Sequence, residues 1–107
     1  MNMSEAVDPQ IMSEAANDAS ACLRALSNPS RLLLLCQLLD GEKNVGELET
    51  ELGLGQAYVS QQLARLRSEG YVEARRDGRI VYYSLADARV TPIIQVLYEQ
   101  FCAPKVS

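Results

Sequence analysis

Residues 53–70 read GLGQAYVSQQLARLRSEG, and the fold turns on how this stretch is read. Val59, Leu63 and Leu66 recur at the three- and four-residue spacing of one helix face. Gln56, Tyr58, Ser60, Gln61 and Arg65 fall largely on the other sides. Gln, Ser and Arg side chains hydrogen-bond base edges and phosphates. The preceding NVGELETELGLG supplies a shorter helix and a glycine-rich turn, with Asn44 and Glu47 spaced as a capping box. The pair predicts a helix-turn-helix whose second helix enters a DNA groove. An amphipathic surface helix with a solvated polar face is the plainer reading, and the residues that follow weigh against it.

Gly70 closes the helix, as glycine commonly does just past a C-terminus. Tyr71 to Arg76 then reads YVEARR and Arg79 to Leu85 reads RIVYYSL, with Asp77-Gly78 between them. Asp-Gly flanked by β-branched and aromatic residues predicts a hairpin with a two-residue primed turn. A helix-turn-helix followed directly by a hairpin is a winged helix. Arg75, Arg76 and Arg79 are expected at the hairpin tip, within reach of phosphate or a minor groove. Five of the ten basic residues lie between Arg65 and Arg79.

The rest of the chain fits around this unit. Residues 1–11 are polar, contain Pro9 and read as a disordered tail; residues 12–107 then form the one domain that 107 residues allow. A first helix runs from about Ser13, with Ala15, Ala19, Cys22, Leu23 and Leu26 on one face. That face suits a dimer interface or an ordinary core contact. Asn28-Pro29 starts a second helix as cap and first helical residue. Its run RLLLLCQLL is apolar nearly all round and is expected to be central. Thr91-Pro92 repeats the start signal for a last helix, with Ile93, Ile94, Leu97, Tyr98 and Phe101 on one broad face and Cys102 a turn beyond Tyr98. The expected architecture is mainly α with a small β-hairpin, in the order α-α-α-α-β-β-α.

Composition narrows the function. A net charge of −4 argues against a non-specific nucleic-acid binder but allows a specific one with a basic reading face. No apolar run approaches the length of a membrane span, and the acidic N-terminus lacks the pattern of a signal peptide, so a cytoplasmic protein without membrane contact is expected. There is no histidine and no Cys-x-x-Cys, which leaves little for an enzyme to work with.

From Ala21 to Ala103 the chain resembles the ArsR/SmtB family of bacterial winged-helix repressors. The resemblance rests on ALSNPSRL, VGEL and SQQLARLRSEGYVEARRDGRIVYY, in that order and spacing. It implies a symmetric homodimer built by the first and last helices, bound to double-stranded operator DNA and released by an inducer. Many family members sense metals through a Cys-x-Cys pair or through Asp and His ligands. Here the first place reads NVGEL, and histidine is lacking, so neither a metal nor any other cofactor is expected.

Cys22, Cys36 and Cys102 remain, each explicable singly as a small buried hydrophobe. LLLLCQLLDGE and EQFCA resemble the thiol-sensing branch of the same family, which has one cysteine in the second helix and one near the end of the last. Cys36 and Cys102 match those places, and Cys22 matches neither. The branch resemblance implies sensing of reactive sulfur species, the two thiols becoming linked directly or through extra sulfur atoms. Peroxide sensing by disulfide formation and capture of arsenite-type ions stay open as alternatives, and a small thiol oxidoreductase is a remote one.

Overall fold

The computed structural model describes residues 8–102. Helix α1 spans Pro9–Leu26 and α2 spans Pro29–Gln37, continued by a 3-10 turn, Leu38–Asp40. Strand β1, Lys43–Asn44, precedes α3, Val45–Leu52, and α4, Gln56–Ser68. The wing is β2, Val72–Asp77, with β3, Ile80–Leu85. Helix α5, Val90–Leu97, runs into a π-helical turn, Tyr98–Cys102. The three strands form one antiparallel sheet in the order β1-β3-β2. This is the expected winged helix, with β1 added as a short third strand.

The core lies where α2, α3, α4 and α5 meet. Leu34, Leu35, Leu48, Val59, Leu63, Leu66 and Ile94 are fully buried. Burial of each such side chain is worth about 1.5–3 kcal/mol before entropy is counted. The predicted stripe on α4 is therefore the stripe that packs.

Local chemistry sets the helix ends. The Asn28 side chain accepts hydrogen bonds from the Ser30 and Arg31 backbone N–H groups, with Pro29 following. Asn44 and Glu47 form a reciprocal capping box at α3. Gly53 ends α3 with φ +66°, a left-handed conformation that glycine adopts without penalty. Arg31 is buried and donates from Nε to the Ala25 carbonyl and from Nη2 to the Arg24 carbonyl. It satisfies the carbonyls left open at the end of α1.

Four expectations shift. Helix α1 begins at Pro9, not near Ser13, because Asp8 accepts hydrogen bonds from the Gln10 and Ile11 N–H groups and so caps it earlier. Residues 9–11 of the expected tail are thus helical, while 1–7 lie outside the described residues. Its inward face is Cys22, Ala25 and Leu26, whereas Leu23 is 61% exposed and Ala15 and Ala19 are exposed as well. On α2, Leu33 is exposed, so that helix is only partly enclosed. On α5 the broad face divides: Val90 and Ile94 turn inward, Ile93, Val96, Tyr98 and Phe101 outward.

The fourth shift is in the wing. Asp77 pairs with Ile80, so the two-residue loop is Gly78-Arg79, one residue later than expected. Gly78 has φ +63° and Arg79 does not have positive φ, the pattern of a turn with glycine at its first central position.

Candidate functional site

The glycine-rich turn delivers α4 with Gly55 as its N-cap, so the first turn of the helix faces solvent. Gln56, Tyr58, Gln61 and Arg65 are exposed and Ser60 is half-buried. Gln56 and Ser60 share a surface recess of about 370 Å³ with Asn44, Val45, Gly46 and the wing residues Arg79, Ile80 and Val81. The start of α4 and the wing tip therefore border one concave face. Such a face carries helix side chains suited to base edges and a wing cation suited to phosphate.

The wing arginines differ in their surroundings. Arg76 and Arg79 are exposed, and neither forms an ion pair among the described residues. Arg75 is not at the tip with them. Its guanidinium donates from Nε to Glu42 Oε2 at 3.0 Å and from Nη2 to Glu42 Oε1. It also lies 4.9 Å from the centroid of the Tyr82 ring. The hydrogen bond from Arg75 holds the Glu42 carboxyl below its ordinary range. The partner lies 33 positions away, so no local pattern announces it. Arg65 donates to Glu69 at 3.2 Å, one turn along α4.

The second feature is a cleft of about 380 Å³ between the end of α2 and the end of α5. Cys36, Gln37, Leu39, Asp40, Gln95, Tyr98 and Glu99 line it. Cys36 is half-buried in the last turn of α2, and Cys102 is exposed at the close of the π-helical turn. Burial pushes the Cys36 thiol up, and the charge of Cys102 pushes it further in the same direction, so the two groups lie within electrostatic range. Both thiols are free, as is Cys22. Cys22 is buried against a different cleft, of about 280 Å³, with Tyr71, Asp87 and Val90. Burial raises its pKa first, and the charge of Asp87 adds to this. Of the tyrosines, Tyr98 lines the thiol cleft, Tyr82 carries Arg75, and Tyr83 pairs with Lys43 in the sheet.

Among the described residues, no group of three His, Cys, Asp or Glu side chains is arranged to hold a metal ion. No helix among them is long and apolar enough to cross a membrane.

Residues 28–74 match the model of "Bacterial regulatory protein, arsR family". The chain is 45% identical over 92 residues to the biofilm growth-associated repressor of Xylella fastidiosa, covering 86% of this chain and 81% of that protein. It is 40% identical to the transcriptional activator HlyU of Vibrio cholerae, covering 87% and 86% respectively. The structure of reduced HlyU from Vibrio cholerae superposes with a TM-score of 0.83 at 39% identity, covering 88% of this chain and 99% of that one. These relatives are named as transcriptional regulators, in line with the expectation of a regulator and not an enzyme.

Proposed function

This chain belongs to the arsR family of bacterial regulatory proteins, and on that premise we propose that it is a homodimeric repressor whose operator binding is switched off by oxidation of Cys36 and Cys102 with reactive sulfur species. The observation that carries the switch is the nearness of the two thiols, one in the wall of the α2–α5 cleft and the other close enough to alter its ionisation. Support for the dimer comes from α1 and α5. The side chains from Asp8 to Ser20 are all exposed, Ile11 and Met12 included, and so are Ile93, Val96 and Phe101. A helix segment of that length is marginal in water unless packed. A second copy covers both faces at once and sets two α4 helices about 34–36 Å apart, one turn of DNA.

The chemistry is that of thiol–disulfide exchange. A cysteine thiolate attacks the sulfane sulfur of a persulfide RSSH, becomes a persulfide itself, and releases RSH. The second cysteine attacks the inner sulfur of that protein persulfide and expels hydrogen sulfide. Two thiols are oxidised to a disulfide, and the sulfane sulfur is reduced to sulfide. If each cysteine first takes one sulfur, the same displacement gives a trisulfide and one hydrogen sulfide. The bridge ties the end of α5 to the end of α2, four residues before Gly41 releases the chain into β1 and α3. Release from half-saturating to negligible occupancy demands a large affinity loss; a 99:1 to 1:99 reversal takes about 5.5 kcal/mol.

The test is operator binding before and after treatment with glutathione persulfide, reversed by a reductant, in the parent, Cys36→Ser and Cys102→Ser. Both variants should bind DNA and neither should release it. Mass spectrometry after separate exposure to persulfide, peroxide and arsenite identifies the inducer by what remains between the two sulfurs. Persulfide-driven release from Cys102→Ser equal to the parent's rules out the two-thiol mechanism. A gene-expression readout with and without the protein separates repression from the activation named for HlyU.

A further inference from the structure

Resting on that proposed switch, we infer that the two cysteines have unequal roles: Cys102 captures the sulfur donor from solution, and Cys36 is the resolving thiol that closes the bridge from inside the cleft. Access comes first. Cys102 is exposed at the close of the π-helical turn. Cys36 is half-buried in the α2 wall of a cleft that Tyr98 and Glu99, of the turn that carries Cys102, also line. A donor such as glutathione persulfide is larger than either thiol and must bring its sulfane sulfur in line with the attacking sulfur. Among the described residues, the exposed Cys102 meets that condition more readily than the half-buried Cys36.

Charge points the same way. Among the described residues, those that line the cleft with Cys36 include the carboxylates of Asp40 and Glu99 and neither Lys nor Arg. Carboxylates beside Cys36 do not favour an anion there, and burial, then the charge of Cys102, push its thiol up. Only a thiolate is a competent nucleophile. Cys36 is thus the slower thiol toward a free donor. Against a persulfide already formed on Cys102 it needs no encounter with a free donor, since both sulfurs belong to one chain and lie within electrostatic range of each other.

The sequence of bonds follows. The Cys102 thiolate attacks the sulfane sulfur of RSSH, forming Cys102–S–SH and releasing RSH after proton uptake. Cys36–SH then gives up its proton and attacks the inner sulfur of Cys102–S–SH. The Cys36–Cys102 disulfide forms, and the outer sulfur leaves as hydrogen sulfide with the proton that Cys36 lost. Cys36 and Cys102 each lose one electron overall, and the sulfane sulfur gains two.

The experiment is a short pulse of glutathione persulfide on the reduced full-length protein, quenched at intervals with excess iodoacetamide and read as site-resolved mass. Extra sulfur should appear on Cys102 first, followed by the bridge. In Cys36→Ser the persulfide on Cys102 should form at the parent rate and accumulate. In Cys102→Ser, Cys36 should take up sulfur several-fold more slowly than Cys102 does in the parent, because it is half-buried and less often met by the donor. Pulsed alkylation of the unmodified parent gives the same order without substitution: Cys102 fastest, Cys36 slower, Cys22 slowest. Sulfur arriving first on Cys36, with the bridge still forming, overturns the assignment of roles and leaves the switch standing. No bridge in the parent at any time overturns the switch itself.

Discussion

Arg75 and Glu42 form a two-point ion pair between the wing and the loop that follows the 3-10 turn, with the guanidinium lying against Tyr82. Cys36 stands six positions before Glu42. The end of the proposed switch helix and the root of the wing are therefore fastened by one side-chain contact and by the pairing of β1 with β3. Arg75 is thereby a structural residue of the wing, and among the described residues Arg76 and Arg79 are its cations without an ion pair.

The pair should respond to pH in a defined direction. Its hydrogen bonds lower the Glu42 pKa in the folded protein. Its stabilisation is thus fully present above the unfolded glutamate value of about 4.3 and is lost as pH falls through the lower folded value. Urea unfolding of the parent and of Glu42→Gln should differ at about pH 7, and the difference should shrink as pH falls below about 4. A difference that persists undiminished in acid assigns the effect to something other than the ion pair. Glu42→Gln also frees Arg75, and the salt dependence of DNA binding should steepen by up to about one unit.

The reading face separates specific from general contacts. Gln61→Ala should weaken operator binding by about 1–3 kcal/mol and leave non-operator DNA unaffected. Arg79→Ala should weaken all sequences alike and lower the salt slope by about one unit. Titrations of operator and scrambled duplexes at several salt concentrations check both. Unchanged affinity in two well-folded variants would falsify the assignment of this face.

Cys22 provides an internal control. It is buried among α1, Tyr71 and the start of α5, away from the thiol cleft. Cys22→Ser places a hydroxyl where a thiol packed and should cost about 1–3 kcal/mol in denaturant unfolding. Persulfide-driven release from DNA should remain that of the parent. Loss of the response in a folded Cys22→Ser protein makes Cys22 a third member of the switch.

Dimerisation can be probed where α5 faces outward. Val96→Asp and Phe101→Asp each put a charge on side chains that touch little of their own chain. Sedimentation should show the parent as a dimer and each variant shifted toward monomer, with melting dependent on protein concentration only in the parent. A parent that sediments as a monomer at micromolar concentration, yet binds a palindromic operator, excludes the symmetric dimer.

How far the sequence could be read depended on the range of the interaction. The α4 stripe, the Asn28 and Asn44 caps and the positive φ of Gly78 are decided within a turn of chain, and all were legible. The register of the wing was not, because glycine fits the second place of one primed turn and the first place of another; the Asp77–Ile80 pairing selects between them. Leu23 misled for a similar reason. Helical spacing grouped it with Cys22, but a narrow contact with α2 uses only the Cys22, Ala25 and Leu26 edge. The Arg75–Glu42 pair and the buried role of Arg31 were invisible, since each depends on where distant backbone comes to lie. Family resemblance singled out Cys36 and Cys102 but carried no information on their unequal exposure.

The corner between α1 and α2 bears on the order in which the molecule assembles. Asn28 caps α2, and Arg31 reaches back to the carbonyls of Arg24 and Ala25, so eight consecutive residues close on themselves. Closing so short a loop costs little chain entropy compared with joining α2 to α5. The corner can be native while the wing and α5 are still finding their places. Asn28→Ala should accordingly slow refolding about as much as it destabilises, a φ-value near one, whereas truncations in α5 should act mainly on the unfolding rate. Stopped-flow refolding checks this. That outcome would place the first corner to form at the start of the proposed switch helix and its joining to α5 last, with the sensing cleft completed only when folding ends.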